Sequence, residues 1–199
     1  MTRTEIINSL IDKNGYKNYL EIGVNTPDQP GYNWEGVVVN TKHGVDPNVD
    51  TTYKMTSDEF FANYISQKYD IVFVDGLHLA EQAYKDITNS LIHLNEGGII
   101  VVHDCNPVTE ITQRRIRVSD AWHGDVWKAI VKLRVVRSDL DIQTVDTDEG
   151  CGLVRAGHQK LLEIPTGINP FDYSFLDSDR KNILNLITPN EFIERYINI

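Results

Sequence analysis

The sequence predicts an α/β protein built on a doubly wound, mostly parallel sheet, and three observations carry that expectation. Residues 71–74 and 99–102 are short, β-branched and continuously apolar, as strands buried on both faces of a parallel sheet are. Between them Ala80, Ala83, Tyr84, Ile87, Leu91 and Leu94 recur at helical spacing and run into Gly97 and Gly98, a stop signal, so residues 69–107 read as strand, helix, strand. Near the other end, residues 142–145 and 151–155 flank Asp146-Thr-Asp-Glu-Gly150 and read as an antiparallel hairpin that closes the sheet.

The other elements follow in order. Residues 5–11 form a short amphipathic helix stopped by Lys13-Asn-Gly15, and residues 19–24 form the first core strand, with Glu21 and Gly23 at its end. A loop with Pro27 and Pro30 leads to Gly31, and residues 42–47 make a second short strand ending in Asp46-Pro47. A third short segment at 53–55 precedes Thr56-Ser-Asp-Glu59, a capping-box pattern opening a helix to about residue 67. After the central unit, residues 108–121 are polar and carry Arg114, Arg115 and Arg117, either a solvated face or a grip on an anionic substrate. Residues 122–128 lead into a helix through Leu133, and the tail holds a helix at about 175–187 and a last one opened by Thr188-Pro-Asn-Glu191.

At 199 residues the chain can bury a sizeable core and is most simply one domain. An apolar content of 41% with 24% charged residues is that of an ordinary soluble globular protein, and no stretch approaches 18 apolar residues. The formal net charge of −10 argues against nucleic acid, whose binding is driven by Lys and Arg releasing counterions. With no basic segment and apolar core at its start, and with only Cys105 and Cys151, the chain is expected in a reducing, cytoplasmic compartment.

In doubly wound folds the ligand crevice lies at the carboxyl ends of the strands. There the sequence places Asp75 and His78 after one strand and His103 and Asp104 after the next. The aspartates could simply cap turns or helices, but two acid and histidine pairs on neighbouring strand ends favour a site. Adjacent parallel strands are about 4.8 Å apart, so the two carboxylates can reach one oxygen-ligated ion. Asp46 ends the second strand 23 residues after Gly23, near the spacing of about 20 at which such folds place a ribose-binding acid; an Asp-Pro turn reads equally well there.

Tyr19-Leu-Glu-Ile-Gly-Val24, Gly44-Val-Asp-Pro47, Thr56-Ser-Asp-Glu-Phe-Phe61, Val74-Asp-Gly-Leu-His78, the run from Gly97 to His103-Asp-Cys-Asn-Pro107, and Gly150-Cys-Gly152 occur in that order. Over about residues 15–156 this set resembles the class I S-adenosylmethionine-dependent methyltransferases, in the small "methyltransferase domain" branch with His-Asp-Cys-Asn-Pro. The resemblance implies a Rossmann-like, seven-stranded sheet with a reversed terminal hairpin. It also implies a single domain over 1–199, with its core at about 15–156 and a helical extension at 157–199. One departure stands out: Gly23 and Gly31 are separated by a proline-bearing loop where such enzymes have a tighter glycine-rich turn, which reshapes the wall around the cofactor's methionine moiety.

Residue by residue, the resemblance implies S-adenosylmethionine as cofactor, with Glu21, Gly23 and Gly31 facing its methionine part, Asp46 on the ribose and Asp75 beside it. Asp75 and Asp104 match the acids that hold Mg²⁺ in the more distant catechol-type O-methyltransferases. The lysine base of those enzymes is replaced here by His78. The expected reaction is O-methylation of a small-molecule or sugar hydroxyl, with His78 or His103 as base and either Mg²⁺ on Asp75 and Asp104 or Asp104 orienting His103 without a metal. A nicotinamide enzyme is disfavoured because Gly23-Val-Asn lacks the G-x-G-x-x-G turn. A non-catalytic binding module on the same fold is the alternative. The acceptor and the oligomeric state, homo-oligomer included, are not legible, and no membrane partner is expected.

Overall fold

The structure is a computed structural model that describes residues 1–29 and 32–198. Helix α1 (Arg3–Asn14) is opened by a reciprocal capping box between Thr2 and Glu5, two residues ahead of the expected start, and is closed by Gly15 in the left-handed region. Strands β1 (Asn18–Ile22), β2 (Thr41–Val45), β3 (Tyr69–Val74) and β4 (Leu94–Val102) pair in parallel. The hairpin β5 (Leu140–Val145) and β6 (Cys151–Ala156) is antiparallel, with β6 inserted between β4 and β5. With β7 (Leu186–Ile187) the order is β2-β1-β3-β4-β6-β5-β7, seven strands, so the expected mostly parallel sheet with a reversed hairpin is observed.

Alternate residues of each central strand enter two separate cores, which is why the runs are apolar throughout. Leu20, Ile22, Val72, Val74, Ile100 and Val102 face α2 (Ser57–Asn63), α3 (Ala80–His93) and α4 (Trp127–Val136), packing with Phe60, Ile87, Trp127 and Ile130. Tyr19, Ile71, Phe73, Ile99 and Val101 face Ile6, Ile7 and Leu10 of α1 and Phe192 and Tyr196 near the C-terminus. Each such aliphatic side chain contributes roughly 1.5–3 kcal/mol through burial.

Three expectations are corrected. Gly97 and Gly98 do not stop α3, which ends at His93. They lie inside β4, where the register to β3 slips between Tyr69 and Ile71 and Gly98 passes so close to the Asp70 carbonyl that a Cβ would stand 2.8 Å from it. Residues 53–55 form no full strand: Tyr53 makes one bridge to Val45, and the seventh strand is Leu186–Ile187 instead. The helix expected at 175–187 is broken into α5 (Tyr173–Ser178) and α6 (Arg180–Ile183), because Asp179 caps the second piece and Asn185 turns at φ 50 into β7. The capping boxes at Thr56 and Thr188 form as expected, the latter opening α7 (Pro189–Phe192), and α2 ends earlier, at Asn63. Among the described residues no helix is long and apolar enough to cross a membrane.

Candidate active site

A cleft of about 930 Å³ opens at the carboxyl ends of β1, β2, β3 and β4. At one side Gly23, at φ 84, carries the chain out of β1 so close to Asp75 that a Cβ would overlap the Asp75 backbone, and only glycine fits. Glu21 reaches the cleft wall but is 1% exposed; its Oε2 accepts from the Tyr19 hydroxyl at 2.6 Å and from Asn33 Nδ2 at 3.4 Å. Burial pushes its carboxyl up to about 8 against those two donors.

Asp46 is where the sequence places it, and all four of its acceptor positions are used. Oδ2 accepts from the N–H groups of Val24 at 3.1 Å and Asn25 at 3.3 Å, and Oδ1 from Asn48 at 2.8 Å and Val49 at 3.3 Å. The carboxylate thus ties the loop after β1 to the loop after β2 while lining the cleft. Gly31 lies outside the described residues.

At the ends of β3 and β4 the two acid and histidine pairs meet. His78 Nε2 lies 3.4 Å from Asp75 Oδ1 and Nδ1 lies 3.1 Å from Asp104 Oδ2; His103 Nδ1 lies 3.4 Å from Asp75 Oδ1 and 3.2 Å from Asp104 Oδ1. Burial draws both histidines down, but the surrounding carboxylates outweigh it and hold both above the ordinary histidine value, His103 well above. Burial likewise opposes ionisation of Asp75, yet His103 and then His78 keep its carboxyl well below the usual carboxylate range. Asp104 holds its position with φ 60, a strained backbone for a non-glycine residue.

Neither aspartate caps a helix. Helix α3 is capped from far along the chain by Asp125, whose Oδ1 accepts from Ala80 N at 2.8 Å. The same segment lays Trp122 over the His78 ring, 4.9 Å between centroids and 19° between planes. His78, its side chain 21% exposed, is therefore the reachable histidine, and His103, at 5%, lies behind it.

The sequence reading missed three contributors. Arg3 comes from the first turn of α1, and its chemistry was invisible until the Thr2–Glu5 capping box, a legible signal, fixes where that turn begins. Asp148 and Glu149 come from the β5–β6 turn with φ 46 and 61; Asp148 receives Arg3, and Glu149 pairs with buried His123 at 2.7 Å. Of the arginine cluster, Arg115 pairs with Glu81 and Asp125, while Arg117 lines the cleft and donates to the Ser119 and Asp120 carbonyls.

A family model described as "Methyltransferase domain" matches residues 6–105. The chain belongs to this methyltransferase family. Solved structures agree on the fold. A candidate caffeoyl-CoA O-methyltransferase from Staphylococcus aureus superposes with TM-score 0.54 at 18% identity, over 77% of this chain and 82% of that one. An O-methyltransferase from Bacillus cereus in complex with S-adenosylhomocysteine gives 0.53 at 12%, over 79% and 82%. A Podospora anserina methyltransferase bound to S-adenosylhomocysteine gives 0.50 at 16%, over 77% and 76%. No curated protein matches the sequence significantly. The class I methyltransferase fold expected from the ordered motifs is thereby confirmed.

Proposed function

We propose that this methyltransferase moves a methyl group from S-adenosylmethionine to a hydroxyl of a small-molecule or sugar acceptor. The observation that carries the reading is the joining of two halves in one cleft. Glu21, Gly23 and Asp46, which match the family's cofactor residues, line the same cleft as Asp75, His78 and Asp104. Two relatives of the same fold are described with S-adenosylhomocysteine bound. In the ligand-bound state a ribose hydroxyl would take over one of the two 3.3 Å bonds at Asp46, the weakest of its four.

With His78 neutral and its own proton on Nδ1 toward Asp104, the acceptor O–H gives its proton to Nε2 as its oxygen attacks the sulfonium methyl, and the C–S bonding pair stays on sulfur to leave S-adenosylhomocysteine. Asp104 orients the ring through Nδ1, Asp75 steadies the imidazolium, and His103 behind them balances the charge of both acids. The donor set of Asp75, His78 and Asp104, with ligand atoms within 4.8 Å of one another, also suits a divalent cation, which would lower the pKa of the acceptor hydroxyl.

The test is methyl transfer from labelled S-adenosylmethionine to a panel of phenolic and sugar hydroxyls, comparing the parent with His78→Gln. A fall of about 10²–10⁴ in turnover with little change in cofactor binding is expected for loss of a general base. Undiminished turnover in the variant would remove His78 from that role.

A further inference from the structure

Asp75 and Asp104 line the cleft, Asp148 stands beside them outside its lining, and two cations link these acids: His103, within 3.5 Å of all three, and the guanidinium of Arg3, which joins Asp75 to Asp148. Arg3 Nη2 lies 2.9 Å from Asp148 Oδ1 and Nε donates to Asp148 Oδ2 at 3.1 Å, while the Arg3 backbone N–H donates to the same Oδ2 at 2.6 Å. The remaining nitrogen, Nη1, lies 3.1 Å from Asp75 Oδ2 and 3.3 Å from His103 Nδ1. The Arg3 side chain is 14% exposed, so these pairs are shielded from water and from salt. The first turn of α1 is locked in the same place: its capping box fixes Arg3, and the Thr147 hydroxyl donates to the Met1 carbonyl at 2.6 Å.

We propose that Arg3 acts beside His103 as a resident cation of this cluster, a positioning residue that holds Asp75 and Asp148 together and weakens the hold of Asp75 on a divalent ion. Guanidinium is permanently charged and its planar fork bridges two carboxylates at once, which a lysine ammonium does as a point charge only. A divalent ion at Asp75 would compete for the carboxylate's charge with Arg3 Nη1 at Oδ2 and with His103 at Oδ1. Cation binding and the docking of the first turn of α1 therefore compete at Asp75. The inference concerns charge balance on the floor of the cleft and stands or falls separately from the identity of the methyl acceptor.

The test uses Mn²⁺ as probe, read by electron paramagnetic resonance and by thermal unfolding, so that no acceptor is needed. The parent is expected to bind Mn²⁺ weakly. Arg3→Gln, which removes the guanidinium from Asp75 and Asp148, is expected to melt lower without the ion, to bind Mn²⁺ at least tenfold more tightly than the parent, and to regain stability when the ion is added. Arg3→Gln combined with Asp75→Asn should lose that gain, and Arg3→Lys should fall between parent and Arg3→Gln. An Arg3→Gln protein whose Mn²⁺ affinity equals the parent's would overturn the proposal. So would tight Mn²⁺ binding by the parent that disappears in Asp75→Asn, a result that holds even if Arg3→Gln does not fold.

Discussion

Gly124 lies directly against His78: a Cβ at Gly124 would overlap the His78 carbonyl oxygen, the same oxygen to which Asp125 N–H donates at 3.2 Å. Because Asp125 also caps α3 and Trp122 stacks on the His78 ring, one short segment fixes the backbone, the helix and the imidazole together.

Gly124→Ala is therefore expected to destabilise the fold. Its φ of 58 costs alanine about 1–2 kcal/mol, and relieving the overlap with backbone adds about 1–3 kcal/mol. Urea unfolding reads the sum, and a loss under about 0.5 kcal/mol, typical of an innocuous surface change, would show that the segment is not pressed onto His78.

Glu21 gives the protein a pH dependence of defined sign. Its folded value of about 8 stands above the ordinary 4.5, so between those values the folded state holds a proton that the unfolded chain has released. Its stabilising contribution is full below about pH 4.5, declines by at most about 1.4 kcal/mol per pH unit, and is lost once the pH has risen through about 8. Glu21→Gln keeps an acceptor for Tyr19 and Asn33 without a titrating proton. Its unfolding midpoint should change less between pH 6 and pH 9 than the parent's, and parallel curves would contradict the assignment.

The tail reaches the loop after β4 through Arg180, which donates from Nη1 to Asn106 Oδ1 at 2.9 Å and to the Pro107 carbonyl at 2.6 Å, and from Nη2 to the Tyr173 hydroxyl at 2.5 Å. Asn106 in turn donates to Asp146 at 3.0 Å. Arg180→Ala should cost about 1–3 kcal/mol by leaving these acceptors unpaired, with faster amide exchange at residues 106–109. Unchanged exchange there would mean the loop after β4 needs no anchor from the tail.

The sheet was legible because each central strand is apolar on both faces and the hairpin residues alternate beside a turn-rich pentapeptide, so local pattern and tertiary burial agree. Asp75, His78, His103 and Asp104 were legible because strand ends are where such a fold opens. Gly97 and Gly98 misled because a glycine pair marks a register slip in a strand as readily as the end of a helix, and only pairing with β3 distinguishes the two. Arg3 and Asp148 were not legible: each is an ordinary capping-turn or hairpin-turn residue by type, 145 positions apart, and they become a pair only through the packing of α1 beside the β5–β6 turn.

The central claim is that this cleft binds S-adenosylmethionine with Asp46 at the ribose, and calorimetric titration of the parent and of Asp46→Asn with S-adenosylmethionine, S-adenosylhomocysteine and NAD tests it most directly. Asparagine is chosen because its remaining carbonyl oxygen spares part of the loop pairing that Asp46 provides to the backbone N–H groups of Val24, Asn25, Asn48 and Val49. The parent is predicted to bind the first two ligands and not NAD, with Asp46→Asn weaker by about 1–3 kcal/mol, the range for losing a hydrogen bond to a charged group. Absence of binding by the parent to either sulfur-containing ligand would contradict the account.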